Sequence, residues 1–142
     1  MISVLGLDIG SKRIGVAGCD RTGLIATGLT TIDNKSFGYV TEQLGQIIRQ
    51  REVTLLVVGL PYTMDGTVGA QAKRVRKFTK RLAKTLDLPV TYVDERLTSV
   101  EAEQQLFAER RDPVKNKGLI DKRAAAIILQ QWLDRSRVDR CP

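Results

Sequence analysis

The 142 residues include no histidine. That absence removes Ser-His-Asp and Cys-His catalysis, histidine zinc sites and an imidazole general base. Hydrolytic chemistry in this chain has to rest on carboxylates, lysines, hydroxyls or a bound metal ion. Cysteine is almost absent as well. Cys19 and Cys141 make no disulfide framework and lack metal-ligand spacing. Cys19 falls in an expected strand and reads as packing, and Cys141 in an expected flexible C-terminal tail. There is no run of about 18 apolar residues, so no membrane-spanning helix is expected. The start, Met1 to Asp8, lacks the basic region and small-residue cleavage site of a signal peptide and reads as a strand, which makes the cytoplasm the expected location.

Negative charge is in short supply: 16 acidic residues face 23 basic ones, for a net charge of +7. A basic surface suits a polyanion, because lysines and arginines that neutralise phosphates release counterions. The same charge also serves solubility alone, so it points to nucleic acid without deciding for it.

What is present is an alternation of β-branched runs and helical patterns, the mark of α/β organisation. The chain length suits one domain, 1–142. Strands are expected over Val4–Ile9, Arg13–Cys19 and Leu24–Ile32, joined by short turns into an antiparallel meander. A helix over Ser36–Arg51 follows, with Val40, Leu44, Ile47 and Ile48 as its apolar stripe. Val53–Val58 reads as a strand buried on both faces. A Gly-rich loop leads to a helix over Val68–Leu86, then a strand over Val90–Asp94. A further helix starts at Thr98, where Glu101 completes a capping box. A mobile loop is expected at 110–118, and a last helix over Leu119–Arg135. The result is a mixed five-stranded sheet, three antiparallel strands and then parallel βα units, with helices on both faces.

Three carboxylates stand where this plan needs an explanation. Asp8 lies near the end of the first strand, between Leu7 and Ile9. A carboxylate in a covered strand is costly unless it is paired or bound to a cation, although an Asp before Gly10 also suits a turn. Asp94 and Glu95 close the fifth strand. Side chains alternate faces along a strand, so only one of the two can share a site with Asp8. A surface cluster with Arg96 is the plainer alternative. Asp121 is expected in the first turn of the last helix, on the same side as Ala124, Ala125, Ile128 and Trp132. Its position also fits the helix dipole, but the dipole does not explain why it sits on the packing side. Clustered carboxylates are how two-metal phosphodiesterases bind Mg²⁺ or Mn²⁺.

From Gly66 to Leu86 there is no acid, yet there are seven basic residues: Lys73, Arg74, Arg76, Lys77, Lys80, Arg81 and Lys84. Ala72, Val75, Thr79, Leu82, Ala83 and Leu86 form the expected buried stripe, and Lys73, Lys77, Lys80 and Lys84 the opposite face. A helix of one sign suits phosphate better than a merely solvated face. The preceding loop, Gly59 to Gly69, is no Walker P-loop, since Gly-Lys-Ser/Thr is missing.

Four segments together resemble the YqgF/RuvX family of RNase H-like proteins, relatives of the RuvC resolvases. They are Asp8 to Ala17, Gly59-Leu60-Pro61 with Asp65-Gly66, Val93 to Ser99, and Lys117-Gly118 with Asp121, Ala124 and Ala125. The resemblance implies an RNase H-like domain, a metal-dependent endonuclease of the two-metal type, and Asp8, Glu95 and Asp121 as catalytic and metal-binding acids. In RuvC-like relatives the second acid follows the fourth strand; here that place holds Gly59-Leu60-Pro61, and the candidate acid moves to the end of the fifth. Lys12, Arg13 and Arg96 beside the acids are expected to bind nucleic acid together with Lys73, Arg76, Lys77, Lys80 and Lys84. The family is associated with maturing the 5′ end of the 16S rRNA precursor, so structured RNA is the expected partner. Branched DNA is the alternative, and symmetric junction cutting calls for a homodimer. A non-catalytic RNA-binding module in ribosome assembly needs only the basic helix. An actin-like ATPase also opens with Asp-x-Gly-Ser, but it needs two such domains and one is present here.

Overall fold

In a computed structural model of the chain, residues 3–60, 69–94 and 117–140 are described, the last four residues at each end of 117–140 as backbone only. The expected helix at Thr98, Glu95, Arg96, most of the 59–69 and 110–118 loops and Cys141 lie outside them.

Strand β1 is Val4–Ile9, β2 Arg13–Cys19 and β3 Ala26–Asp33. β1 and β2 meet in a tight turn closed by Gly10 N donating to Arg13 O at 2.9 Å. A Cβ at Gly10 would stand 2.6 Å from that carbonyl, so the turn needs glycine. Asn34 ties the turn down from β3, donating from Nδ2 to Gly10 O and from its backbone to Lys12 O. β3 begins two residues later than its apolar pattern suggests. The backbone N–H groups of Leu24 and Ile25 go to the Asp20 carboxylate instead of a strand partner, and both side chains are exposed.

Helix α1 is Phe37–Arg51, with Ser36 as its N-cap accepting from Tyr39 N. Its end explains why β4 is Leu55–Leu60 rather than Val53–Val58. Glu52 turns left-handed and Val53 N donates to Ile48 O, so the first apolar residue of the run closes a helix. Helix α2 is Ala70–Leu86, two residues shorter than expected at its start because Gly69 is extended. β5 is Val90–Asp94, as the pattern predicts. Helix α3 is Lys117–Arg140 and is longer than expected at both ends. No proline interrupts it before Pro142, and Gly118 is tolerated in its first turn, where the backbone donors have no intrahelical partner anyway. The last two residues of the expected loop and the first five of the expected tail are therefore helical.

The strand order is β3-β2-β1-β4-β5. The first three pair antiparallel, and β4 and β5 run parallel to β1. This is the expected mixed sheet, and it has helices on both faces. Leu5, Leu7 and Ile9 of β1 join Val58, Leu60, Val40, Leu44, Val75 and Leu82 in a core under α1 and α2. Val4, Ala17, Val57 and Val93 join Ala125, Ile128, Leu129 and Leu133 in a second core under α3. Each cluster takes alternate residues of the central strands. Burying those largest side chains completely is worth about 1.5–3 kcal/mol apiece before entropy is counted.

Candidate active site at the sheet edge

Asp8 is the only charged residue in β1. By alternation with Leu7 and Ile9 it lies on the α3 face of the sheet, where it is half-buried. It stands at the carboxyl end of the strand, directly opposite Gly15 of β2. Above Gly15 the backbone of α3 comes down onto the sheet: a Cβ there would lie 1.9 Å from the carbonyl oxygen of Asp121. Gly6, two residues before Asp8, repeats the device further along, with Ala125 O and Leu129 in the space of its missing Cβ. These two glycines seat α3 against β1 and β2, and so bring the Asp121 backbone over Gly15, the cross-strand neighbour of Asp8.

Asp121 is not in the first turn of its helix. With α3 beginning at Lys117, it is the fifth residue, and the dipole at the N-terminus falls off within the first turn. The dipole therefore does not account for it. Its inward position follows from the helix face: Ala124, Ala125, Ile128, Leu129 and Leu133 are buried, and Trp132, expected on that stripe, is at its margin. The Asp121 carboxylate has a partner in Arg13, whose Nε donates to Oδ2 at 2.7 Å across 108 residues of sequence.

At the end of β5, Val93 packs in the α3-side core while Val90 and Tyr92 pack on the other side. Asp94 is exposed on the α1/α2 side, so it does not share a face with Asp8. Glu95 lies outside the described residues. Among those described, no group of three or more Asp, Glu or Cys side chains forms a metal-binding cluster. Asp8 and Asp121 are the two acids the sheet brings to one face.

The basic helix folds as its pattern predicts. Ala72, Val75, Thr79 and Leu82 are buried, and Lys73, Arg74, Arg76, Lys77, Lys80, Arg81 and Lys84 are all exposed. It packs on the face of the sheet opposite Asp8 and Asp121. Its first turns nevertheless reach the same edge. A cleft lined by Ile9, Gly10, Ser11, Asn34, Gln71, Arg74, Val75 and Phe78 runs from the β1–β2 turn to the start of α2. Two other arginines of α2 are engaged by rings: Arg76 lies 5.8 Å over Tyr92, and Arg81 3.9 Å over Phe37. Burial pushes the Tyr92 hydroxyl up from its usual range, against the opposing charge of Arg76. Lys12 is exposed at the β1–β2 turn.

Sequence reasoning missed two cations on the α3 side. Lys122 and Arg123 follow Asp121 directly and line a groove with Ala26, Thr27 and Gly28 of β3. They read as ordinary helix-surface charges until α3 is laid across β3, where Lys122 packs over Gly28.

A match to RuvX, described as Holliday junction resolvase, spans residues 2–135. The chain belongs to the RuvX family. This RuvX-family chain is 64% identical over 138 residues to a protein of Trichormus variabilis named "Putative pre-16S rRNA nuclease", covering 97% of this chain and 91% of that one. A protein of Rippkaea orientalis with the same name is 65% identical over 136 residues, covering 96% and 98%. Among solved structures, RuvC of T. thermophilus in complex with a Holliday junction substrate superposes with a TM-score of 0.58 at 13% identity, covering 95% of this chain and 96% of that one. At that identity the likeness is one of fold, and the fold is RNase H-like.

Proposed function

We propose that this chain is a divalent-cation-dependent endonuclease that trims the 5′ end of the 16S rRNA precursor. One observation carries the catalytic part: two half-buried carboxylates from distant elements, Asp8 and Asp121, on one face at the carboxyl edge of the central strands. The family match supports nucleic-acid hydrolysis, and the name shared by relatives at 64% and 65% identity supports the rRNA substrate.

The residues present fit a hard cation. They offer carboxylate oxygens, which Mg²⁺ and Mn²⁺ prefer over nitrogen or sulfur. A bound cation supplies an activated water and charge for the leaving oxygen, which a chain without histidine cannot supply from imidazole. Glu95 is the third acid in this reading, because the strand alternation that puts Asp94 on the far face leaves it as the candidate. Lys12 at the β1–β2 turn and Arg96 after β5 would hold phosphates next to the acids. Lys73, Arg76, Lys77, Lys80 and Lys84 would guide the nucleic acid as it leaves the cleft towards α2.

A second reading, cleavage of branched DNA, is favoured by the family description and by the fold shared with RuvC. Single-turnover cleavage with Mg²⁺ or Mn²⁺ separates the two. Precursor rRNA with its 5′ extension is expected to be cut at a defined position, and a four-way DNA junction cut far more slowly. Symmetric junction cleavage by a dimer, with the RNA left intact, would establish the second reading.

A further inference from the structure

A cation on the face of the acid pair already has its charge engaged. Arg13 opens β2, and with Gly15, Ala17 and Cys19 it shares the face covered by α3. Its guanidinium reaches Asp121 Oδ2 at 2.7 Å, with the two side chains 33% and 22% exposed. Asp8 lies on the same face, one cross-strand step from Gly15, over which the Asp121 backbone rests. Half-buried carboxylates on one face of the sheet repel each other and lose hydration. A guanidinium on one of them relieves both penalties. The same guanidinium opposes any second cation. It occupies one of the two Asp121 oxygens, and it repels a divalent ion approaching the pair.

We propose that Arg13 is a positioning residue that serves as the built-in counter-ion of the cation site. It holds the Asp121 carboxylate in place while no divalent ion is bound, and it releases Oδ2 when one enters. Its planar donor fork then turns to a substrate phosphate, for which guanidinium geometry is well matched. This rests on the reading of Asp8 and Asp121 as cation ligands. Nucleic acid and divalent cation thereby help each other, since each favours the state in which Arg13 has left Asp121.

The test is a Mn²⁺ titration of the full chain followed by electron paramagnetic resonance, without nucleic acid, on wild type, Arg13→Gln, Lys12→Gln and Asp121→Asn. Arg13→Gln is expected to bind Mn²⁺ about five-fold tighter, the size that fits loss of a competing half-exposed ion pair. Lys12→Gln removes the neighbouring exposed charge and is expected to change the affinity much less. A residue that merely braced the fold would move the affinity the other way. Unchanged or weaker binding by Arg13→Gln, with the site lost in Asp121→Asn, overturns the counter-ion role and leaves the cation reading standing. No Mn²⁺ uptake by wild type, or full uptake by Asp121→Asn, overturns both together. A second measurement needs no variant at this position. In wild type, Mg²⁺ is expected to shift the Arg13 Nε–H resonance and speed its exchange with solvent, and an unmoved, slowly exchanging signal contradicts the proposal.

Discussion

At the scale of single residues, the strictest demand at the site falls on Gly15. Its neighbour is backbone, the Asp121 carbonyl oxygen 1.9 Å from where a Cβ would stand, and no flexible side-chain end can give way. Gly15→Ala is therefore expected to push α3 off β2. The loss of stability should be about 1–3 kcal/mol, the usual size for overpacking, with Asp121 displaced as well. Thermal unfolding and a cleavage assay check the two effects. Gly28→Ala, whose Cβ would meet Lys122 O at 3.1 Å, should be milder. Asp20 makes a different prediction. Backbone N–H of Ile25 and the Thr22 hydroxyl, with a smaller contribution from Leu24 N, hold its carboxyl down to about 2 against the opposing effect of desolvation. Because the folded pKa is depressed, the stabilisation is complete above pH 3.8 and fades as pH falls through about 2. In acid titrations followed by circular dichroism, the gap between wild type and Asp20→Asn should close across that window.

At the scale of elements, α2 is a basic helix whose two ends stand at different distances from the chemistry. Gln71 and Arg74 line the cleft that begins at Gly10 and Ser11. Lys84 stands eleven residues beyond Lys73, about 16 Å along the axis. Reversing the charges of Lys73 and Arg74 is expected to weaken nucleic-acid binding more than reversing Lys80 and Lys84. Filter-binding titrations at several salt concentrations measure this, and equal losses would make the helix a uniform phosphate rail. The face of α2, the alternation along β1 and the inward side of α3 were all legible, because each repeats every two or every three to four residues. The start of β4 was not, since Val53 looks like a strand residue and its N–H closes α1. Nor was the start of β3, where Leu24 and Ile25 are apolar but serve the Asp20 turn. The Arg13–Asp121 pair was also out of reach. Its partners lie 108 residues apart, and neither periodicity nor spacing records which loop end faces which helix turn.

At the scale of the whole molecule, the strand order decides where chemistry can happen. The order β3-β2-β1-β4-β5 puts β1 at the centre, with a parallel neighbour, β4, on one side and an antiparallel one, β2, on the other. The carboxyl end of β1 is thus the place where the edge of the sheet, the start of α2 and an early turn of α3 converge. Asp8 stands there because that strand carries it there, and α3 brings Asp121 to the same face. In the proposed reaction these two acids share a cation that cuts a phosphodiester bond. The most direct measurement is cleavage of precursor rRNA by highly purified Asp8→Asn protein with saturating Mg²⁺ or Mn²⁺. Cleavage should be abolished while RNA binding is kept or tightened, because one carboxylate charge is lost and no phosphate contact is. Cleavage at the wild-type rate would rule out a cation held by Asp8.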